Sequence, residues 1–123
     1  MTKIDPKHCV FCDIIEGAAT TNVIESDGNY IIIEPLNPHT PGHALVIPTS
    51  HVQDALASVR YAGMTFARAA RYARSIGVDC NILTSAGPAA TQTVMHLHVH
   101  VIPRGPEDGL HHDWPWCRDK ETT

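Results

Sequence analysis

The chain has 123 residues, of which 43 % are hydrophobic and 18 % are charged, and its formal net charge is −4 at pH 7. This length fits one domain with one modest core, and the composition excludes a chain that is disordered throughout. The acidic balance gives no indication of a nucleic-acid partner, and no apolar run is long enough to cross a membrane. Histidine is the unusual component, because its nine copies equal the lysines and arginines combined.

The first half of the chain predicts a short helix followed by three strands. Residues 10–16 indicate one or two helical turns that end at Gly17. Two β-branched runs, 23–26 and 30–34, flank an Asp-Gly-Asn sequence and predict a hairpin. Three prolines then favour an extended loop, which leads into a short apolar strand over residues 44–47.

The second half predicts one main helical segment and two further strands. Apolar residues at helical spacing extend from Val52 to Ile76, with a break near Gly63. Strands are predicted over residues 78–84 and 93–103, and the second of these is the longest in the chain. The pattern is typical of an α+β fold with a mostly antiparallel sheet of about five strands.

We expect a single domain over residues 1–123, with a core over 9–104 and an irregular tail over 105–123. The first residues lack the apolar stretch of a signal peptide, so we expect a cytoplasmic protein. Small sheets of this kind leave exposed edges, which predicts a symmetric homodimer.

The last predicted strand carries a histidine at every second position: His96, His98 and His100. On a strand this spacing places the three imidazoles on one face and the intervening aliphatic residues on the other. His96 and His100 then stand about 13 Å apart, whereas a zinc–nitrogen bond measures about 2 Å. One metal ion therefore cannot easily bind all three, and the spacing divides them between tasks without saying which histidine performs which.

The segment His-Leu-His-Val-His-Val-Ile over 96–102 resembles the motif that names the histidine triad (HIT) family. Similar family-like segments are Gln92-Thr93-Val94, Pro103-Arg104, Asn37-Pro38-x-x-Pro41-Gly42-His43 and Leu45-Val46-Ile47-Pro48. With Cys9 and Cys12, the resemblance covers residues 9–104. It implies a HIT fold, a homodimer that joins two five-stranded sheets, and a purine nucleotide ligand. It also implies an enzyme that hydrolyses or transfers nucleotidyl groups at the α-phosphate.

The resemblance assigns catalytic roles to three histidines. His98 would be the nucleophile that forms a covalent nucleotidyl-histidine intermediate, which a neutral imidazole can do near pH 7. His100 and His43 would contact the phosphate oxygens and the leaving group. A charged imidazole there would stabilise the developing charge and donate a proton.

The resemblance also implies a phosphate-binding turn. Gln92 and Thr93 would position the phosphate or the leaving atom, and backbone N–H groups of the turn over 85–91 could cradle the phosphate. Two positions depart from the family pattern, since Ser85 stands where an Asn is common and Thr91 where a Gly is common.

The expected ribose contact departs from the family as well. Where relatives often carry an Asp, this chain has Pro35 preceded by Glu34, so either Glu34 substitutes or ribose recognition is altered. The leading substrate class is an AMP-like nucleotide with an amine or phosphate leaving group. The alternatives are a dinucleoside polyphosphate hydrolase and a non-catalytic nucleotide-binding adaptor.

Cys9 and Cys12 have the Cys-x-x-Cys spacing of half a tetrahedral zinc site. His51 and His96 are the best candidates for the other two ligands, and several bacterial family members resemble this set; His8 is an alternative to His51. Four protein ligands close the shell, so the Zn²⁺ would be structural. The alternative is a pair of reduced helix cysteines without metal.

The aromatic tail around Trp114 and Trp116 has two interpretations. Tails in the family often cross to the partner subunit near its active site. The other possibility is a flap on its own subunit, or a disordered end.

Overall fold

An antiparallel sheet of five strands organises residues 9–116, the part of the chain that the computed structural model describes. His8 and residues 117–123 of the tail lie outside the described residues. The strands, in chain order, are β1 (Val23–Ser26), β2 (Tyr30–Ile33), β3 (Ala44–Pro48), β4 (Cys80–Leu83) and β5 (Val99–Pro103). Their order across the sheet is β1-β2-β3-β5-β4, and every neighbouring pair is antiparallel. The α+β prediction is confirmed.

Two α-helices accompany the sheet: α1 (Val10–Ile15) and α2 (Val59–Ile76). The prediction of a helical segment from Val52 with a break near Gly63 was wrong. The Ser58 side chain caps α2 by accepting the Tyr61 N–H at 3.1 Å, and the helix continues unbroken through Gly63. A glycine costs a helix only about 1 kcal/mol, which burial of the helix face at Ala69 and Ala73 offsets.

The predicted strand over 93–103 was too long, because β5 contains only Val99–Pro103. The residues just before Val99 form backbone hydrogen bonds with loop residues and not with a neighbouring strand. The Leu97 N–H donates to the Val52 carbonyl at 2.6 Å, and the His96 N–H donates to the Val94 carbonyl at 2.9 Å. Only His100 of the three spaced histidines therefore lies within a regular strand. The ends of the other strands differ from the predictions by up to two residues.

The two faces of the sheet have different partners. One buries a cluster against α2: Tyr30, Ile32, Ala44, Val46, Ala69, Ala73, Val99 and Val101. The other packs on α1: Cys9, Phe11, Cys12, Ile31, Ile33, Leu45 and Ile47. Leu45 pairs with His100 across the ladder, so that histidine shares the α1 face. The predicted alternation of histidine and valine is thus confirmed in β5.

Within residues 9–116, neither helix combines the length and the apolar character that a membrane crossing requires.

Candidate active site and metal centre

Cys9, Cys12, His51 and His96 converge on one point beside α1. Their ligand atoms all lie within 4.8 Å of one another. The His96 Nδ1 is 3.4 Å from the Cys9 Sγ and 3.5 Å from the Cys12 Sγ. The His51 Nδ1 is 3.2 Å from the Cys12 Sγ and 3.1 Å from the His96 Nδ1. The structure therefore brings together the four residues that the sequence predicts as metal ligands.

These separations fit the edges of a zinc tetrahedron. With Zn–S bonds of about 2.3 Å and Zn–N bonds of about 2.05 Å, the S···N edge is about 3.6 Å and the N···N edge about 3.3 Å. The observed distances of 3.1–3.5 Å are at or just below these values. Two thiols and two imidazoles are also the donor set that zinc prefers. The residues fit the ion.

Contacts outside the cluster prepare His96 to bind a metal. Its Nε2–H donates to the Pro48 carbonyl at 2.8 Å, so the neutral ring keeps its lone pair on Nδ1, the atom that faces the other ligands. Burial lowers the pKa of His96 to about 4, which keeps the ring neutral. Burial, with the neighbouring Cys9, raises the pKa of the Cys12 thiol to about 12, so metal binding must displace that proton.

His98 lies next to this cluster but takes no part in it. Its Nδ1 is 2.7 Å from the His96 carbonyl oxygen, and because a carbonyl can only accept, the His98 proton is on Nδ1. The lone pair is then on Nε2. The Phe11 ring meets His98 edge-on at a centroid distance of 5.0 Å, and burial lowers the pKa of His98. The arrangement holds a neutral imidazole with one defined basic atom.

Thr84 supports His98 from the other side. Its hydroxyl donates to the His98 carbonyl at 2.6 Å. Neither Thr84 nor Phe11 is predicted as a site residue from the sequence, since neither occurs in a recognisable motif.

His43 and His100 form a hydrogen-bonded pair with a defined direction. The His39 backbone N–H donates to the His43 Nδ1 at 2.9 Å, which places the His43 proton on Nε2. That atom is 3.0 Å from the His100 Nδ1, so His43 donates and His100 carries its own proton on Nε2. Burial lowers the pKa of His43 to about 4 and that of His100 to about 3. Both rings are neutral at pH 7, where the sequence analysis expected a charged imidazole.

The rings of His98, His100 and His43 form one group. The centroids of His98 and His100 are 5.1 Å apart, and those of His100 and His43 are 5.2 Å apart. The His39 ring stacks on His43 at 5.2 Å with an interplanar angle of 17°. The sequence analysis did not single out His39, although a second histidine four residues before His43 was a usable signal.

The aromatic tail packs on its own subunit in this structure. The Trp116 ring lies 4.4 Å from His39, 4.9 Å from His100 and 6.5 Å from His43, measured between ring centroids. Arg104 anchors the start of the tail, because its guanidinium contacts the Asp108 carboxylate at 2.6 Å and the His111 carbonyl at 3.0 Å. The tail thereby covers part of the histidine group.

The predicted phosphate turn is held by Gln92, which is buried. Its amide hydrogens are donated to the Gln53 and Val94 carbonyls at 2.9 Å each, and its Oε1 accepts the Gly87 N–H at 2.7 Å. In this structure Gln92 therefore shapes the turn, and the direct phosphate contact stays a prediction. Thr93 and Thr91 are exposed beside it.

Ser85 lies at the other end of the turn and is half-buried. Its hydroxyl oxygen is 3.4 Å from that of Thr91.

Glu34 lines an open cavity of about 410 Å³ together with Pro35, Leu36, Pro38 and residues 20–22. The carboxylate of Glu34 accepts a hydrogen bond from the Asn22 amide at 2.9 Å. The lining residue Pro38 directly precedes His39 in the chain.

Comparisons with known proteins agree with this geometry. The model of the HIT domain family matches residues 16–107. An uncharacterised HIT-like protein of Mycobacterium tuberculosis is 43 % identical over 102 residues, which cover 77 % of this chain and 70 % of the relative. An adenosine 5′-monophosphoramidase of Saccharomyces cerevisiae is 34 % identical over 113 residues, which cover 87 % of this chain and 70 % of that protein.

A solved structure supports the comparison of the metal centre. A zinc-bound histidine triad family protein from Mycobacterium smegmatis superposes with a TM-score of 0.73 at 37 % identity, covering 94 % of this chain and 86 % of that chain. That protein is described as zinc-bound, and this chain has a four-residue Cys/His cluster that fits the same ion.

Proposed function

This chain belongs to the HIT domain family, and on that basis we propose that it is a hydrolase or nucleotidyl transferase. It binds a purine nucleotide derivative and reacts at the α-phosphate through a covalent nucleotidyl-histidine intermediate. The leading substrate is a nucleoside 5′-phosphoramidate, in keeping with the activity named for the yeast relative.

The observation that carries this proposal is the hydrogen bond from His98 to the His96 carbonyl. At 2.7 Å, it fixes the proton on Nδ1 and leaves the lone pair on Nε2. A nucleophile needs a neutral ring with one oriented lone pair, and burial, which lowers the pKa of His98, supplies the neutral form. The His98 Nε2 is therefore the proposed atom that attacks phosphorus.

The His43–His100 pair supplies an oriented hydrogen-bond donor. His100 carries its hydrogen on Nε2, because its Nδ1 accepts from His43 at 3.0 Å. A donor of this kind can stabilise the charge that develops on a phosphate oxygen or hold a leaving amine by a hydrogen bond. His43 orients His100 through this bond, and the His39 backbone N–H orients His43.

The reaction then has two balanced steps. In the first, the His98 Nε2 forms a bond to the α-phosphorus while the bond to the leaving group breaks, and the leaving amine, hydrogen-bonded to the His100 Nε2–H, takes the proton it needs from solvent. In the second, water attacks the phosphorus, the bond to Nε2 breaks, and the proton that the water loses passes to solvent. A nucleotide acceptor in place of water would give transfer.

Other residues bind and orient the nucleotide in this proposal. Glu34 receives the ribose hydroxyls in the cavity it shares with Asn22, in place of the usual Asp. Gln92 holds the phosphate turn, and Thr93 and Ser85 present hydroxyls to the phosphate and the leaving group.

Cys9, Cys12, His51 and His96 hold a structural zinc ion in this proposal. A zinc ion bound there would connect α1 to the segment that carries His96. Because all four ligands would come from the protein, no coordination position would be left for a substrate. We also propose a cytoplasmic location, where reduced thiols are available as zinc ligands. We further propose one domain over the chain, with a core over 9–104 and a tail over 105–123, that assembles as a homodimer.

The test is steady-state hydrolysis of adenosine 5′-phosphoramidate by the wild type and by His98→Ala. We expect the variant to lose turnover by roughly three orders of magnitude or more, because the covalent route is removed. His112→Ala is the matched control, since this exposed histidine lies outside the site. Equal turnover by wild type and His98→Ala would refute the proposal.

A further inference from the structure

Thr91 adopts a backbone conformation that is unusual for its residue type. Its φ is 77° and its ψ is 16°, and among residues 9–116 it has the only positive φ outside glycine. A β-branched residue is strained in this left-handed region, whereas a glycine occupies it freely. Strained conformations persist only where the surrounding structure holds them, and they cluster at active sites and switch regions.

The Thr91 side chain holds the aromatic tail. Its hydroxyl donates to the Ala90 carbonyl, so its oxygen is free to accept from other donors. The Trp116 Nε1–H, which can only donate, reaches that oxygen at 3.2 Å. The strained turn and the end of the tail are thus joined by one hydrogen bond.

The Trp116 ring that this bond holds packs against His100 and His39. Its centroid is 4.9 Å from that of His100, the ring whose Nε2–H faces the leaving group in the proposed reaction. It also lies 4.4 Å from His39. A leaving group that contacts the His100 Nε2–H in the proposed reaction would therefore also meet the indole ring.

We propose that Thr91 and Trp116 form a latch that selects leaving groups by size, an inference that rests on the proposed function. A small amine fits beside His100 with the indole in place. An amine that carries an aromatic ring competes with the indole for the same space and must break the Thr91–Trp116 hydrogen bond. The chain accordingly prefers small leaving groups.

The kinetic test compares two AMP phosphoramidates, one made with ammonia and one with benzylamine. The measured quantity is the ratio of kcat/KM for the benzyl compound to that for the small compound. Trp116→Ala should raise this ratio about tenfold, and Thr91→Gly about fivefold, the equivalent of one hydrogen bond. Thr91→Ser keeps the hydroxyl and should keep the wild-type ratio. His112→Ala, an exposed change in the same tail, is the matched control and should keep it too.

A second measurement does not depend on activity. The chain has two tryptophans, so Trp114→Phe leaves Trp116 as the single fluorophore. In that background, Thr91→Gly should increase acrylamide quenching and shift the emission to longer wavelength, while Thr91→Ser should change neither. Because Thr91→Gly also relieves the strained turn, its melting temperature should not fall below that of the parent.

The outcomes separate the latch from the proposed function. An unchanged kcat/KM ratio in Trp116→Ala, with both compounds turned over, would overturn size selection and leave the proposed function standing. Unchanged quenching in Thr91→Gly would overturn the latch itself. If the wild type hydrolyses neither compound, the proposed function and the size selection both fail, and the quenching comparison alone decides whether Thr91 holds Trp116.

Discussion

Removal of zinc should destabilise the protein by an amount that can be calculated. A ligand that binds only the folded chain stabilises it by about 2.7 kcal/mol when its free concentration is one hundred times Kd. For 123 residues the entropy of unfolding near the melting temperature is about 0.26 kcal/mol/K. The expected rise in Tm is therefore about 10 °C at that zinc concentration. Each further tenfold increase in free zinc should add about 5 °C.

The structure indicates which part of the fold responds. Cys9, Cys12 and Phe11 are buried in the same cluster as Ile31 and Leu45. Without the ion, α1 has only six residues and a few apolar contacts to hold it on the sheet. Hydrogen exchange should therefore increase first in α1 and in the segment before Val99, well below the global melting temperature.

The assay is circular dichroism in a series of zinc buffers with defined free metal concentrations. Cys12→Ser should abolish the dependence of Tm on zinc, because it removes a ligand. Cys80→Ser, a matched change at a free cysteine outside the cluster, should retain the full dependence. A wild-type Tm that stays constant across the zinc series would refute the metal site, as would an undiminished dependence in Cys12→Ser.

Three further predictions concern protons and assembly. Zinc binding at neutral pH should release at least one proton and tighten at least tenfold per pH unit, because burial raises the pKa of Cys12 to about 12; proton uptake in a weakly buffered titration would contradict this. As the pH falls from 7 to about 5.5, kcat/KM should stay level, since burial lowers the pKa of His43 to about 4 and of His100 to about 3. A decline centred near pH 6.5, the ordinary histidine value, would be the opposite result. Light scattering at micromolar concentration should give twice the monomer mass, because β1 and β4 leave open sheet edges, and a monomeric mass would exclude the dimer.

The metal cluster could be predicted from local patterns. The Cys-x-x-Cys spacing needs only one helical turn, and Cys9 and Cys12 meet that requirement whatever the rest of the chain does. The distance between His96 and His100 along an extended chain likewise predicts that one metal ion does not bind both histidines. The structure agrees, since His96 contacts Cys9 and Cys12 while His100 contacts His43.

The features that the sequence analysis missed depend on contacts between distant segments. β5 is shorter than its alternating pattern because Leu97 bonds to Val52, forty-five positions earlier in the chain. The orientation of His98 depends on one backbone carbonyl, which no pattern of side chains reveals. The position of Trp116 depends on tail contacts such as the hydrogen bond from Arg104 to the His111 carbonyl. The sequence does not reveal that contact, so it left two interpretations of the tail open.

The central claim is that the His98 Nε2 becomes covalently attached to the nucleotide. The most direct measurement is rapid quenching of the wild type during turnover of adenosine 5′-phosphoramidate, followed by tryptic mapping. Cleavage at Arg74 and Arg104 yields one peptide, 75–104, that contains His96, His98 and His100, so fragmentation must assign the modified residue. We expect an AMP adduct on His98 that is absent from His98→Ala, whereas an adduct on any other residue would exclude His98 as the nucleophile.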